Sequence, residues 1–158
     1  MIDWVPRVRT FGMRAQERIL FQLSEKVIGA ALVVHRALGP GLLESTYEEC
    51  LSYELVQVDL KVERQVALPL SYKGLNMPSA YRIDLVVNGV LIVEVKNVEQ
   101  LTRLHTSQLL TYLKLSGLRA GLILNFNSPM LRDGIKRYVN LLPKPVSACS
   151  ACSVPFSR

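Results

Sequence analysis

Long hydrophobic runs are missing from this sequence. The longest apolar stretch, VIGAALVV at residues 27–34, falls far short of the ~18 residues that cross a bilayer, so no membrane partner is expected. The opening residues, MIDWVPRVRTFGMRAQER, contain no apolar core of the secretory kind, and a cytoplasmic location is the expectation. Cysteine is scarce: Cys50 falls in a helical pattern, and Cys149 and Cys152 lie in SACSACSV. An odd count without framework spacing excludes a disulfide scaffold, and the single Cys-x-x-Cys has no second Cys or His pair to complete a zinc site. With 9 Gly and 8 Pro, the chain is neither fibrous nor low-complexity.

What is present describes a folded domain. The chain is 49% hydrophobic and 20% charged, and 158 residues suffice to bury roughly two thirds of the unfolded surface. Lys and Arg number 19 against 13 Asp and Glu, a net charge of +6 that favours an anionic partner such as nucleic acid. Residues 1–15 mix Pro, Arg and aromatics without a period and suggest a flexible or loosely docked arm. Residues 143–158 are rich in Pro, Ser and small side chains and suggest a disordered tail, leaving 16–142 as the domain.

Within 16–142 the apolar period changes several times. Ile19, Leu20, Leu23, Val27, Ile28, Ala31 and Leu32 recur at helical spacing, and Gly39-Pro40 supplies a stop. A second helix should start between Gly41 and Ser45 and reach about Val56, with Ser45 and Glu48 spaced as a capping box if it starts late. Alternation predicts strands at 61–72, 81–87 and 90–96, with a loop at 73–80. A helix over 104–117 ending at Gly117, a strand over 120–127 and a last helix over 130–142 complete an α-α-β-β-β-α-β-α order. The fold class is α/β, a mixed sheet flanked by helices, with a parallel crossover from strand 90–96 to strand 120–127.

The segment IDLVVNGVLIVEVK, residues 83–96, sets charges into an apolar hairpin. Side chains alternate along a strand, so Glu94 and Lys96 share a face. A two-residue Asn88-Gly89 turn would put Asp84 on the reverse face. A three-residue VNG loop, pairing Val86 with Val90, would bring Asp84 onto the face of Glu94, as a diagonal neighbour about 7–8 Å away at Cβ. The second register leaves Ile83, Leu85, Val87, Leu91, Val93 and Val95 as a wholly apolar face, and burying no charge on that side favours it. Two carboxylates beside a lysine also form an ordinary surface ion-pair cluster. Their chemical use would be to hold a hard cation, since Mg²⁺ takes one or two carboxylates and keeps positions for water and phosphate.

Two further stretches carry polar residues at helical spacing: GLLESTY with Gly41, Glu44 and Tyr47, and HTSQLLTY with His105, Gln108 and Tyr112. His105, near a helix start, suits a capping role better than that of a ligand for a hard cation. Together with the Asp strand and the Glu-x-Lys strand, these stretches resemble the GxxExxY protein family of the PD-(D/E)XK nuclease superfamily, over about residues 22–141. The resemblance implies an αβββαβ core and a metal-dependent nuclease hydrolysing phosphodiester bonds through a metal-activated water. It implies Mg²⁺ or Mn²⁺ held by Asp84, Glu94, the carbonyl of Val95 and Glu44, with Lys96 as the catalytic lysine. Gln108 and Tyr112 match residues that orient such a site or contact DNA. DNA is the expected partner, RNA an open alternative, and a homodimer a possible form for cutting two strands. A non-catalytic nucleic-acid- or protein-binding module that keeps the fold is the competing reading.

Overall fold

The computed structural model describes residues 15–139; the expected N-terminal arm, the tail and its two cysteines lie outside that range, residue 15 apart. The elements are α1 (Ala15–Leu38), α2 (Glu44–Gln57), β1 (Val62–Tyr72), β2 (Leu75–Val87), β3 (Leu91–Lys96), α3 (Arg103–Ser116), β4 (Ala120–Asn125), a 3-10 turn (Leu131–Gly134) and β5 (Ile135–Val139). They build one mixed sheet in the order β1-β2-β3-β4-β5. Among the described strands only β3 and β4 run parallel, joined through α3. Among the described residues, no helix is long and apolar enough to cross a membrane.

Two apolar cores cover the two faces. On one, α1 and α2 supply Val27, Ala31, Tyr47, Leu51 and Leu55 against Leu85, Val87, Leu91, Val93, Val95, Leu122 and Leu124. On the other, Leu109, Tyr112 and Leu113 of α3 meet Val86, Ile92 and Ile123. The two-residue period of β3 is thereby used in full: every odd position serves one core, and Ile92 serves the other. The helix ends follow the local chemistry. Gly39 (φ 68°) closes α1 with its N–H on His35 O at 2.9 Å, and Gly117 (φ 71°) closes α3 in the same left-handed way.

Three expectations require correction. The 73–80 loop does not exist: Lys73 and Gly74, both at positive φ, form a tight turn, and Leu75–Val87 is one long strand paired with β1. Its Gly, Asn and Pro residues mimic a loop because Pro69 and Pro78 fall where the β1–β2 register shifts. The final helix is a 3-10 turn followed by β5, as far as Val139. Here Arg137 pairs with Glu25 of α1 while Tyr138 reaches Thr106 of α3 at 2.8 Å, the opposed directions of a strand. Helix α2 starts early, at Glu44, so Ser45 and Glu48 form no capping box.

Candidate active site

The hairpin register differs from both the two-residue turn and the Val86–Val90 pairing but keeps the parity of the latter, with the extra residue elsewhere in the connection. Val87 pairs with Leu91 and Val86 with Ile92, leaving Asn88, Gly89 and Val90 as a three-residue connection. Asn88 (φ 51°) and Gly89 (φ 67°) have the left-handed backbone of a primed turn, closed by Val90 N–H on Val87 O at 3.1 Å, and Val90 is the extra residue. That register sets Asp84 across from Glu94 rather than diagonal to it.

The ladder stops short of that position. The last β2–β3 pair is Leu85 with Val93, after which the Asp84 carboxylate accepts the Val95 N–H at 2.9 Å. On its other side β2 is also interrupted, since Gln65 of β1 drops out of pairing between Arg64↔Leu85 and Val66↔Ile83. Gln65 adopts φ 53°, a conformation unfavourable for any residue with a Cβ. Glu48 of α2 holds it there, accepting from Gln65 Nε2 at 2.5 Å and from Arg64 Nε at 3.0 Å. The strands switch faces at this point: Leu85 belongs to the α1–α2 core and Ile83 to the α3 core, which corrects the expectation that both share one face. Asp84 sits at the switch.

Glu94 is 2% exposed. Its Oε2 accepts from Lys96 Nζ at 3.1 Å, and its Oε1 is buried with no hydrogen-bond partner. Burial, and then the neighbouring Asp84 charge, push its carboxyl up to about 7. Burial likewise raises Asp84, with Glu48 and Glu44 adding, while the Val95 amide and Lys96 oppose. Burial alone would lower the Lys96 ammonium, but the charges of Glu94 and Asp84 outweigh it and the group ends raised. Lys96 is therefore a cation at neutral pH.

The remaining predicted residues surround this trio. Glu44, exposed at the first turn of α2, accepts the Asn97 N–H at 2.8 Å and stands within electrostatic reach of Asp84 and Lys96. Gln108 Nε2 donates to Tyr112 Oη at 2.7 Å. Burial raises the Tyr112 phenol, and the charges of Glu94, Lys96 and Asp84 also act on it, which places Tyr112 beside them. Val95 is buried in the β3–β4 ladder opposite Leu124. His105 accepts the Thr102 N–H at 3.1 Å and so caps α3. Of the stripe Gly41, Glu44 and Tyr47, only the last two lie in α2, one helical turn apart. Gly41 precedes the helix, whereas Tyr47 stacks on Phe126 at 4.4 Å and its hydroxyl ties Gly39 O to Leu42 N–H. Among the described residues, no three His, Cys, Asp or Glu side chains converge as a metal cluster.

Sequence reasoning missed three residues that hold the site. Asn97 donates from its side chain to Leu42 O at 2.7 Å, fixing the α1–α2 connection against the end of β3. Asn125, 2% exposed, bonds both the N–H and the C=O of Val98. An Asn ending the apolar run AGLILN was a legible signal of a buried polar duty. Glu48 gave no such signal, because its partners lie sixteen and seventeen positions away on another element.

An α/β domain whose central hairpin presents Asp on one strand and Glu-x-Lys on the next, over a core of αβββαβ type, has the layout of a nuclease-like fold. A family model of the PD-(D/E)XK nuclease superfamily matches residues 21–138, and the chain belongs to that superfamily. No curated protein and no solved structure matches the chain.

Proposed function

We propose that this protein is a divalent-metal-dependent nuclease of the GxxExxY type, hydrolysing phosphodiester bonds of nucleic acid, DNA foremost. The observation that carries this reading is the buried, unpartnered Glu94 Oε1 beside a second carboxylate, Asp84. A buried anionic oxygen without a donor is costly by itself, and two carboxyl groups whose ionisation is held back by each other and by burial fit a hard cation. Asp84, Glu94 and the carbonyl oxygen of Val95 would hold Mg²⁺ or Mn²⁺, with Glu44 as an outer acid. When bound, such an ion supplies Lewis-acid stabilisation of the charge that builds on the phosphate.

The chain's own groups divide the remaining work. Asp84 is anchored by the Val95 amide, so its orientation is fixed before any ligand arrives. Lys96, a cation held by Glu94, is suited to hold the attacking water or to balance charge on the phosphate, and its raised pKa disfavours the role of general base. Gln108 fixes the Tyr112 hydroxyl at the border of the cluster. We also propose a cytoplasmic location and, for cutting both strands, a homodimer.

The competing reading, a non-catalytic binding module, draws support from the engagement of Glu44 with Asn97, which turns no third carboxylate onto the pair. Incubating plasmid and single-stranded circular DNA with Mg²⁺, Mn²⁺ or EDTA separates the two. Metal-dependent cleavage is expected, lost in Asp84→Asn and Glu94→Gln. Lys96→Met should retain calorimetrically measured metal binding while the rate falls on the order of 10²-fold or more. Absence of cleavage with either metal, or cleavage indifferent to EDTA and to Asp84→Asn, would sink the nuclease reading.

A further inference from the structure

Tyr81 stands three residues before Asp84 on β2, where that strand has lost β3 as a neighbour and pairs with β1 alone. Its ring meets that of Tyr112 at 5.6 Å between centroids, with 56° between planes. Tyr112 is 3% exposed and lies beside the carboxylate–lysine cluster, whereas Tyr81 is 38% exposed. A buried ring thus backs an open one at the border of the candidate site.

Beyond Tyr81 the two strands continue as an arm to the Lys73-Gly74 turn. Between Val66 and Ile83 this arm contains Lys73 and Arg82 and no carboxylate, although the cluster at its base is rich in them. At its tip Tyr72 is 60% exposed, with Lys73 Nζ 5.5 Å from the ring centroid. Two open aromatic rings, one of them beside a cation, on an arm with no acid to repel phosphate suit a stacked base and its backbone.

We infer that the β1–β2 arm is the docking surface for an unpaired stretch of nucleic acid, with Tyr81 stacking on a base next to the phosphate that enters the site. A base within a duplex has both faces covered by its neighbours, so only a single-stranded or splayed nucleotide offers one to Tyr81. The selection of unpaired substrate deepens the nuclease reading and rests on it for the chemistry that follows, but the binding itself requires no metal. The acid-free charge of the arm favours this polyanion over a protein partner.

Fluorescence anisotropy in EDTA, on the Asp84→Asn background so that nothing is cleaved, tests the inference with a labelled single strand and a blunt duplex of the same sequence. The single strand should bind more tightly. Tyr81→Ala should weaken it about tenfold, with Tyr81→Phe near the parent and duplex affinity unchanged. Lys73→Ala combined with Arg82→Ala should lower the log–log salt slope by up to about 1.8 on the duplex and about 1.4 on the single strand. Should Tyr81→Ala melt early, Tyr81→Leu, which keeps an apolar body against Tyr112, must show the same single-strand loss. Equal affinity for both ligands, or a folded Tyr81 variant that binds the single strand as the parent does, overturns the inference. Tyr81-dependent binding in a protein that never cleaves with metal would leave this surface standing and remove only the catalytic reading.

Discussion

Glu94 is a carboxyl group that the fold makes hard to ionise. Its folded pKa of about 7 lies above the ordinary 4.5, so between those values the folded protein holds a proton that the unfolded chain has released. Stability must therefore fall as pH rises through that window, by about 3 kcal/mol in total for this residue, and Asp84 shifts in the same direction. Urea melts of metal-free protein at pH 5 and pH 8 should show the decline, and Glu94→Gln should flatten it and exceed the parent in stability at pH 8. A parent equally stable at both pH values would contradict the buried, partly unsatisfied state of this group. The charges themselves were legible in the sequence, because parity along a strand limits where Asp84, Glu94 and Lys96 can point. Their supports were not: Glu48 and Asn97 act on residues of other elements, and no local period announces such a pairing.

At the scale of the element, irregularities matter as much as regular strands. The left-handed Gln65, clamped by Glu48, interrupts β1 opposite Asp84, and both strands change faces there. Glu48 and Glu49 each pair with Arg64, but Glu48 is buried whereas the Glu49 side chain is 75% exposed, with 3.8 Å to Arg64. Glu48→Ala should thus cost roughly 2 kcal/mol, since it leaves two donors without their buried acceptor. Glu49→Ala should cost less than about 0.5 kcal/mol, as exposed ion pairs do. Equal effects in chemical denaturation would remove Glu48 from its place as the clamp. Elements with long periods, α1 and α3, were readable from sequence to within a residue or so. The segment IKRYV was not: five residues at the sheet edge carry too little pattern to separate a strand from a helix, and its partners on α1 and α3 decide the matter.

At the scale of the whole molecule, the two cores divide the faces of the sheet, and the charged cluster borders only one of them. The α1–α2 core binds one face of the sheet without interruption, while the α3 core ends at Tyr112, where the charged cluster begins. The sheet joining them is unevenly stitched: six residue pairs link β3 to β4, but only three link β2 to β3, followed by the Asp84–Val95 hydrogen bond. In Asp84→Ala the Val95 amide should exchange with deuterium on the order of tenfold faster or more, with β4 amides unchanged. An unaltered rate at Val95 would mean that the carboxylate is not what closes the ladder. In mechanical terms the β1–β2 arm is a lever and the short seam its fulcrum. The place where the arm is hinged to the sheet is thus also the place where Asp84 and Glu94 face each other.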